Sequence, residues 1–489
     1  MPENKPNMVL IVADQWRGDC LSGIGSRHPV MTPHISQLGC EGARFSNAYA
    51  DCPICMPQRV THLTGQVASR FGQPGNFHRR LENIDPKRTL PARLARQAGY
   101  QTQAVGKMHF FPPRARFGFD HVNLHPNDYV NFLETVGWGG AYRGHGIGGN
   151  EVYPVSAQLP ERYTHTHWIV DRACEFLLRR DPECPFFLYV VFEAPHSPFD
   201  PPAPYDRMYD NFHIPEPIDS DWSTGDQAPA EMVLGRAQYN YDHLTDEIIA
   251  EARRRYYGQI SHIDYQLGRL IGQLKTLGLY DDTAVVFTSD HGEHLGDHGT
   301  WHKGTFLRGS ADVPLTMRLP GWVDGAPMAE VVDHPVLTAD ITATMFELAG
   351  LEPDETCDGI SLLDTLRTGQ PPRQFTCGEI GQTAFCTDGR YKYIWYVAGG
   401  AELLFDTAED PEERVNLAGR GDHCEVQTRL RDQLIAYLQR FDRPMAAGGK
   451  LQAVQVDTGP DALRAARAKN PFANRGDMRY GQGYHGFCG

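Results

Sequence analysis

Apolar and polar positions fall into two regimes over the first 350 residues. Short, largely apolar runs at 9–13, 103–106, 186–192 and 284–288 predict strands of a parallel sheet. Between them, apolar residues recur three, four and seven apart. The clearest such stretch spans 246–275, where Ile249, Tyr256, Ile260, Ile263, Leu267, Leu270 and Leu274 form one stripe. Further helices are predicted at 164–179 and 339–348, the latter closed by Gly350. Strands alternating with helices specify an α/β fold: a large, mostly parallel central sheet flanked by helices.

The pattern changes after Pro371-Pro372. β-like runs at 391–396 and 402–405, then a helical pattern at 425–441, predict a small C-terminal antiparallel sheet domain with one helix. Residues 1–370 are therefore read as the large α/β domain, 371–442 as the small α+β domain and 443–489 as an extended tail.

At 489 residues the chain is too long for one compact core. The net charge of −15 argues against nucleic acid or an anionic membrane as partner, though a local cationic pocket can still take an anionic substrate. The tail opposes that charge, with seven Lys or Arg against three Asp, and carries Phe472, Tyr480, Tyr484 and Phe487. It suits an arm docking on a neighbouring subunit of a dimer or tetramer. No stretch approaches the roughly 18 apolar residues of a membrane span, and the run at 8–13 is too short for a secretory signal. Eleven scattered cysteines do not form a disulfide framework, so a cytoplasmic location is expected.

Each predicted strand ends in a polar cluster: Asp14-Gln15, Lys107-Met108-His109, Pro195-His196 and Ser289-Asp290-His291. Ligands of open α/β sheets bind beyond the carboxyl ends of the strands, so the four ends should converge. Asp14, Gln15, Asp290 and His291 offer oxygen and imidazole donors suited to a divalent cation. An aspartate after a strand also commonly caps the next helix. His302-Lys303 adds further cationic groups. Residues 55–65, Cys-Met-Pro-Gln-Arg-Val-Thr-His-Leu-Thr-Gly, set Cys55 at the start of a short helix, where the dipole favours an anionic or polarised side chain. An ordinary buried cysteine fits there too. Cys52-Pro-Ile-Cys55 also reads as a thiol redox or metal-binding motif, but that leaves the strand-end clusters unexplained.

In order along nearly the whole chain, these elements resemble the sulfatase branch of the alkaline phosphatase-like superfamily. The matching residues are Asp14, Cys55-x-Pro57-x-Arg59 with Gly65, Gly106-Lys107-Met108-His109, Ala194-Pro195-His196, Ser289-Asp290-His291-Gly292-Glu293, Trp301-His302-Lys303, and Glu402–Asp406 with Asp410-Pro411 and Asn416-Leu417. Most sulfatases carry paired aspartates where Asp14-Gln15 stands and Asn where His291 stands. The present set is similar to bacterial phosphonate monoester hydrolases and choline sulfatases. Gln58 replaces the usual Ser or Ala.

The resemblance implies a sulfatase, or alternatively a phosphonate monoester or phosphodiester hydrolase. In either, Cys55 is oxidised by a formylglycine-generating enzyme and used as the hydrated aldehyde. Asp14, Gln15, Asp290, His291 and one oxygen of residue 55 would hold one divalent ion. The oxygens suit Ca²⁺ and the imidazole tips the set toward Mn²⁺. Lys107 and Lys303 would neutralise the ester's oxygens, and His196, assisted by Lys303, would protonate the leaving group. His109 would take the proton that collapses the covalent ester, and Arg59 would orient residue 55. Segment 117–163, with Trp138 and Tyr142, reads as an insertion over the mouth. Its aromatics suit an aryl group, a sugar or a quaternary amine, or simply packing.

Overall fold

The computed structural model describes residues 5–77, 81–239, 241 and 244–469. Its main sheet has eight strands, with Asn7–Asp14 at the centre between Phe186–Pro195 and Thr283–Ser289, both parallel to it. Gln101–Gly106 and His121–Leu124 extend the parallel side. On the other side Leu315–Arg318 and Ala43–Phe45 pair antiparallel, and Glu330–Val332 closes the edge.

Double burial explains the apolar runs. Val9, Ile11 and Ala13 pack with Tyr256, Ile260, Ile263 and Leu267 of helix Asp246–Thr276 and with Ile169 and Leu177 of helix His165–Arg179. Met8, Leu10 and Val12 face Ile341, Met345 and Phe346 of helix Ala339–Leu348 on the opposite side. Each such side chain contributes about 1.5–3 kcal/mol on burial, which keeps charge out of the strand interiors and confines it to their ends. The long helix starts where Thr245 Oγ1 accepts from Ile248 N at 3.4 Å. All of its predicted stripe is buried except Ile249, which is half-buried.

The four central strands run slightly beyond the predicted limits. The strands His121–Leu124, Ala43–Phe45, Leu315–Arg318 and Glu330–Val332 were not foreseen, because three or four residues carry too little pattern to read.

In the small sheet, Thr376–Ile380 and Thr383–Thr387 precede the two expected strands, now Tyr391–Tyr396 and Ala401–Asp406, all antiparallel. One face packs on helix Cys424–Arg440 through Ala384, Tyr393 and Leu404 against Leu430, Leu434 and Leu438. The other sets Phe385, Ile394 and Leu403 in one core with Met56 and Val60. The small sheet thus buttresses the helix that begins at Cys55.

The described part of the 443–489 segment is not extended throughout. Met445 and Ala446 are buried beside the C-terminal helix, and Pro460–Ala468 forms a helix against Ala230–Tyr239. That helix buries no residue. Phe472, Tyr480, Tyr484 and Phe487 lie outside the described residues. Among those described, no helix is long and apolar enough to cross a membrane.

Candidate active site

The four strand ends meet. Asp14, Cys55, Asp290 and His291 each offer a donor atom, and these atoms lie within 4.8 Å of one another. Cys55 opens helix Cys55–Thr64, whose C-cap Gly65 has φ 69°. A Cβ there would fall 2.2 Å from Cys357 Sγ, so glycine is required both by conformation and by space. Gln58 holds the entry to this helix by accepting from Cys52 N at 3.3 Å and donating to Thr338 Oγ1.

Cys55 Sγ lies 3.2 Å from His291 Nε2 and 3.8 Å from Asp14 Oδ1. His291 Nδ1 meets the Gly292 carbonyl at 2.9 Å and must donate to it, which leaves the Nε2 lone pair aimed into the cluster. Asp290 Oδ1 accepts from Gln15 N at 3.1 Å and His291 N at 2.9 Å. Arg59 Nη2 donates to both Asp14 Oδ2 (2.9 Å) and Asp290 Oδ2 (2.8 Å). Arg59 therefore clamps the two carboxylates, a role its i+4 spacing from Cys55 did not reveal. Two carboxylates, a pre-oriented imidazole and residue 55 fit a divalent cation.

Lys107 follows Gly106, where a φ of 108° and a Cβ position only 1.9 Å from the Val191 carbonyl oxygen both require glycine. Lys107 Nζ donates to Asp14 Oδ2 at 2.6 Å. Burial opposes ionisation of Asp14, but Lys107 and Arg59 overcome it and hold the carboxyl well below its ordinary range.

Gln15, at φ 74°, accepts from Lys303 Nζ and donates to Glu293 Oε2. The cation on one side and the carboxylate on the other fix the amide's orientation, with its oxygen on Lys303. Lys303 Nζ also lies 2.7 Å from His196 Nε2, while His196 Nδ1 donates to the Ser197 carbonyl at 2.8 Å. Burial, then Lys303, pushes the His196 pKa well down, leaving a neutral ring that accepts from Lys303. His109, at φ 54°, lies within reach of the same charges; burial and Lys107 push its pKa well down too.

Sequence reasoning gave no role to Glu293, Arg17 or Glu193. Glu293 is fully buried, binds Gln15 and accepts from the backbone N–H groups of His302 and Leu295. Arg17 Nη1 spans the carbonyls of Glu293 (3.2 Å) and His294 (2.9 Å) and the Asp297 carboxylate (2.8 Å), fixing the loop that carries Glu293. Glu193 sits 3.8 Å from Lys107 and accepts from Tyr142 Oη at 2.7 Å. A charge beside a strand end is the signal that could have found it. Tyr142 of the insertion thereby reaches the site, whereas Trp138 packs beside Tyr163. The ten cysteines among the described residues are free, and Cys52 is buried in an apolar core.

Residues 6–351 match the Sulfatase family, and residues 296–440 match N-sulphoglucosamine sulphohydrolase, C-terminal. An arylsulfatase of Clostridium perfringens is 32% identical over 475 residues, covering 91% of this chain and 97% of that protein. A choline-sulfatase of Rhizobium meliloti is 29% identical, covering 90% of this chain and 89% of its own. The crystal structure of a phosphonate monoester hydrolase of Agrobacterium radiobacter superposes with a TM-score of 0.78 at 29% identity, over 89% of this chain and 96% of that one. The family match embraces all four converging strand ends and the identity runs the length of the chain, so this protein belongs to the sulfatase family and is a sulfuric ester hydrolase.

Proposed function

We propose that the protein hydrolyses an organic sulfate ester with residue 55, matured to formylglycine by a formylglycine-generating enzyme, beside one divalent cation. The observation that carries this is the place of Cys55 itself: the residue to be matured belongs to the cation's donor set. When matured and metal-loaded, residue 55 supplies a hydroxyl acidic enough to attack near neutral pH.

The chain's own groups supply the rest. Asp14, Asp290, His291 and residue 55 would hold the cation, with Gln15 beside them as the fifth expected ligand. Lys107 and Lys303 are placed to meet the ester's non-bridging oxygens, whose charge redistributes in the transition state. Nitrogens of His196 and Lys303, 2.7 Å apart, share a proton that passes to the departing alcohol oxygen. His109, neutral at pH 7, is competent to accept a proton during collapse of the covalent ester.

Asp14-Gln15 with Asp290-His291, and the similarity to a phosphonate monoester hydrolase, support a second reading in which phosphorus replaces sulfur. The ratio of kcat/KM for an aryl sulfate against an aryl phosphonate monoester decides between them. Mass spectrometry of the peptide containing residue 55 tests both: aldehyde is expected after co-expression with the maturation enzyme, and full activity of an all-thiol protein overturns the mechanism. Metal analysis of the active protein chooses between Ca²⁺ and Mn²⁺. A dimer or tetramer joined by the C-terminal arm is expected to lose mass in light scattering when the chain is truncated after Pro444.

A further inference from the structure

A second group of donors lies outside the strand-end cluster. His125 follows the edge strand His121–Leu124, His165 opens helix His165–Arg179, and Glu193 stands in strand Phe186–Pro195. One donor atom from each lies within 4.8 Å of the other two. The His125 side chain has no solvent exposure, and neither of its ring nitrogens has a hydrogen-bond partner among the described residues; nor has His165 Nδ1. A buried imidazole with no partner at either nitrogen requires an explanation, and an ion is one of few available.

The spacing fits. His125 Nε2 is 3.5 Å from Glu193 Oε2, too far for a hydrogen bond. Two ligands each about 2.0–2.1 Å from a tetrahedral Zn²⁺ stand roughly 3.4 Å apart. The imidazole rings lie 5.1 Å apart, walled by Tyr129 and Tyr142.

We propose that His125, His165 and Glu193 form a second metal site, suited to Zn²⁺, behind the catalytic Lys107. Two imidazoles and one carboxylate are a ligand set zinc takes with an open fourth position. Glu193 also accepts from Arg143 Nη2 at 2.9 Å and from Tyr142, and lies 3.8 Å from Lys107. Arg143 and Lys107 compete with the ion for Glu193, so binding is weaker than at a closed structural site. The ligands bracket residues 126–164 at both ends and hold the other end of the bridge at Glu193. The ion would therefore pin the insertion that carries Tyr142.

The test is metal stoichiometry. Chelator-stripped Asp290→Ala, which lacks the strand-end site, is titrated with Zn²⁺ and with Co²⁺ and counted by mass spectrometry after gel filtration. About one equivalent is expected, with visible d–d absorption from Co²⁺ and a higher Tm with Zn²⁺. His125→Ala and His165→Gln should abolish it, and Arg143→Gln should tighten it. In the wild-type background, His125→Ala should lower the count by about one, which keeps the test intact if Asp290→Ala folds poorly. Retention of all bound Zn²⁺ by both histidine variants, with unchanged circular dichroism, overturns the site, as does a wild-type chain that binds no second ion. Neither outcome touches the aldehyde at residue 55, so the proposed function stands or falls separately.

Discussion

The strand-end cluster and the His125–His165–Glu193 cluster hold donors at the same spacing but are built differently. In the first, every donor is fixed by the protein: Asp14 by Lys107 and Arg59, Asp290 by two backbone N–H groups and Arg59, His291 by the Gly292 carbonyl. The central strands that carry it are buried on both faces. In the second, the two histidines come from an edge strand and from the helix that ends the insertion, and the His125 nitrogens have no hydrogen-bond partner among the described residues. Donors locked before the ligand arrives serve chemistry, where small displacements are costly. Donors on an edge suit a tie between segments.

Substitutions should separate the two regions in order of size. Cys55→Ala is expected to lower kcat by about 10³-fold or more with little change in Tm, read by steady-state kinetics and calorimetry. Asp290→Ala should lose both the strand-end cation and turnover. It also leaves buried Arg59 with one carboxylate fewer, for about 3 kcal/mol of stability lost in urea titration.

Glu293 ties the strand-end site to pH. Burial opposes its charge, but His302 and the backbone N–H of Leu295 hold its pKa down to about 2 from the ordinary 4.5. A depressed carboxyl stabilises the fold above pH 4.5, and that contribution disappears as pH falls toward about 2. The wild type should lose about 3 kcal/mol across that window, and Glu293→Gln should flatten the curve.

His196→Ala is expected to slow esters with basic leaving groups by about 10²-fold while sparing activated aryl esters, and His109→Ala should give a burst of alcohol with a trapped adduct. Equal losses across all leaving groups would contradict the assigned roles. Tyr142→Phe, at the insertion, should be smallest: about 1 kcal/mol from one lost hydrogen bond to Glu193, seen as a modest change in kcat/KM. An effect rivalling that of Asp290→Ala would erase the contrast between the regions.

The sequence by itself determined the central strands, the long amphipathic helix and the convergence of four polar strand ends. Those features rest on local periodicity and on the rule that ligands sit beyond parallel strands. It also placed Cys55 at a helix start. Only the tertiary structure decided which groups meet. Arg59 bonds Asp290 across 231 positions and Gln15 meets Glu293 across 278, choices no local pattern encodes. Nor could the pattern show that the small sheet braces the helix that begins at Cys55 or that Glu193 joins Lys107 to Tyr142. A buried charge takes whichever partner folding brings within hydrogen-bond reach, and that geometry exists only once the strands are assembled.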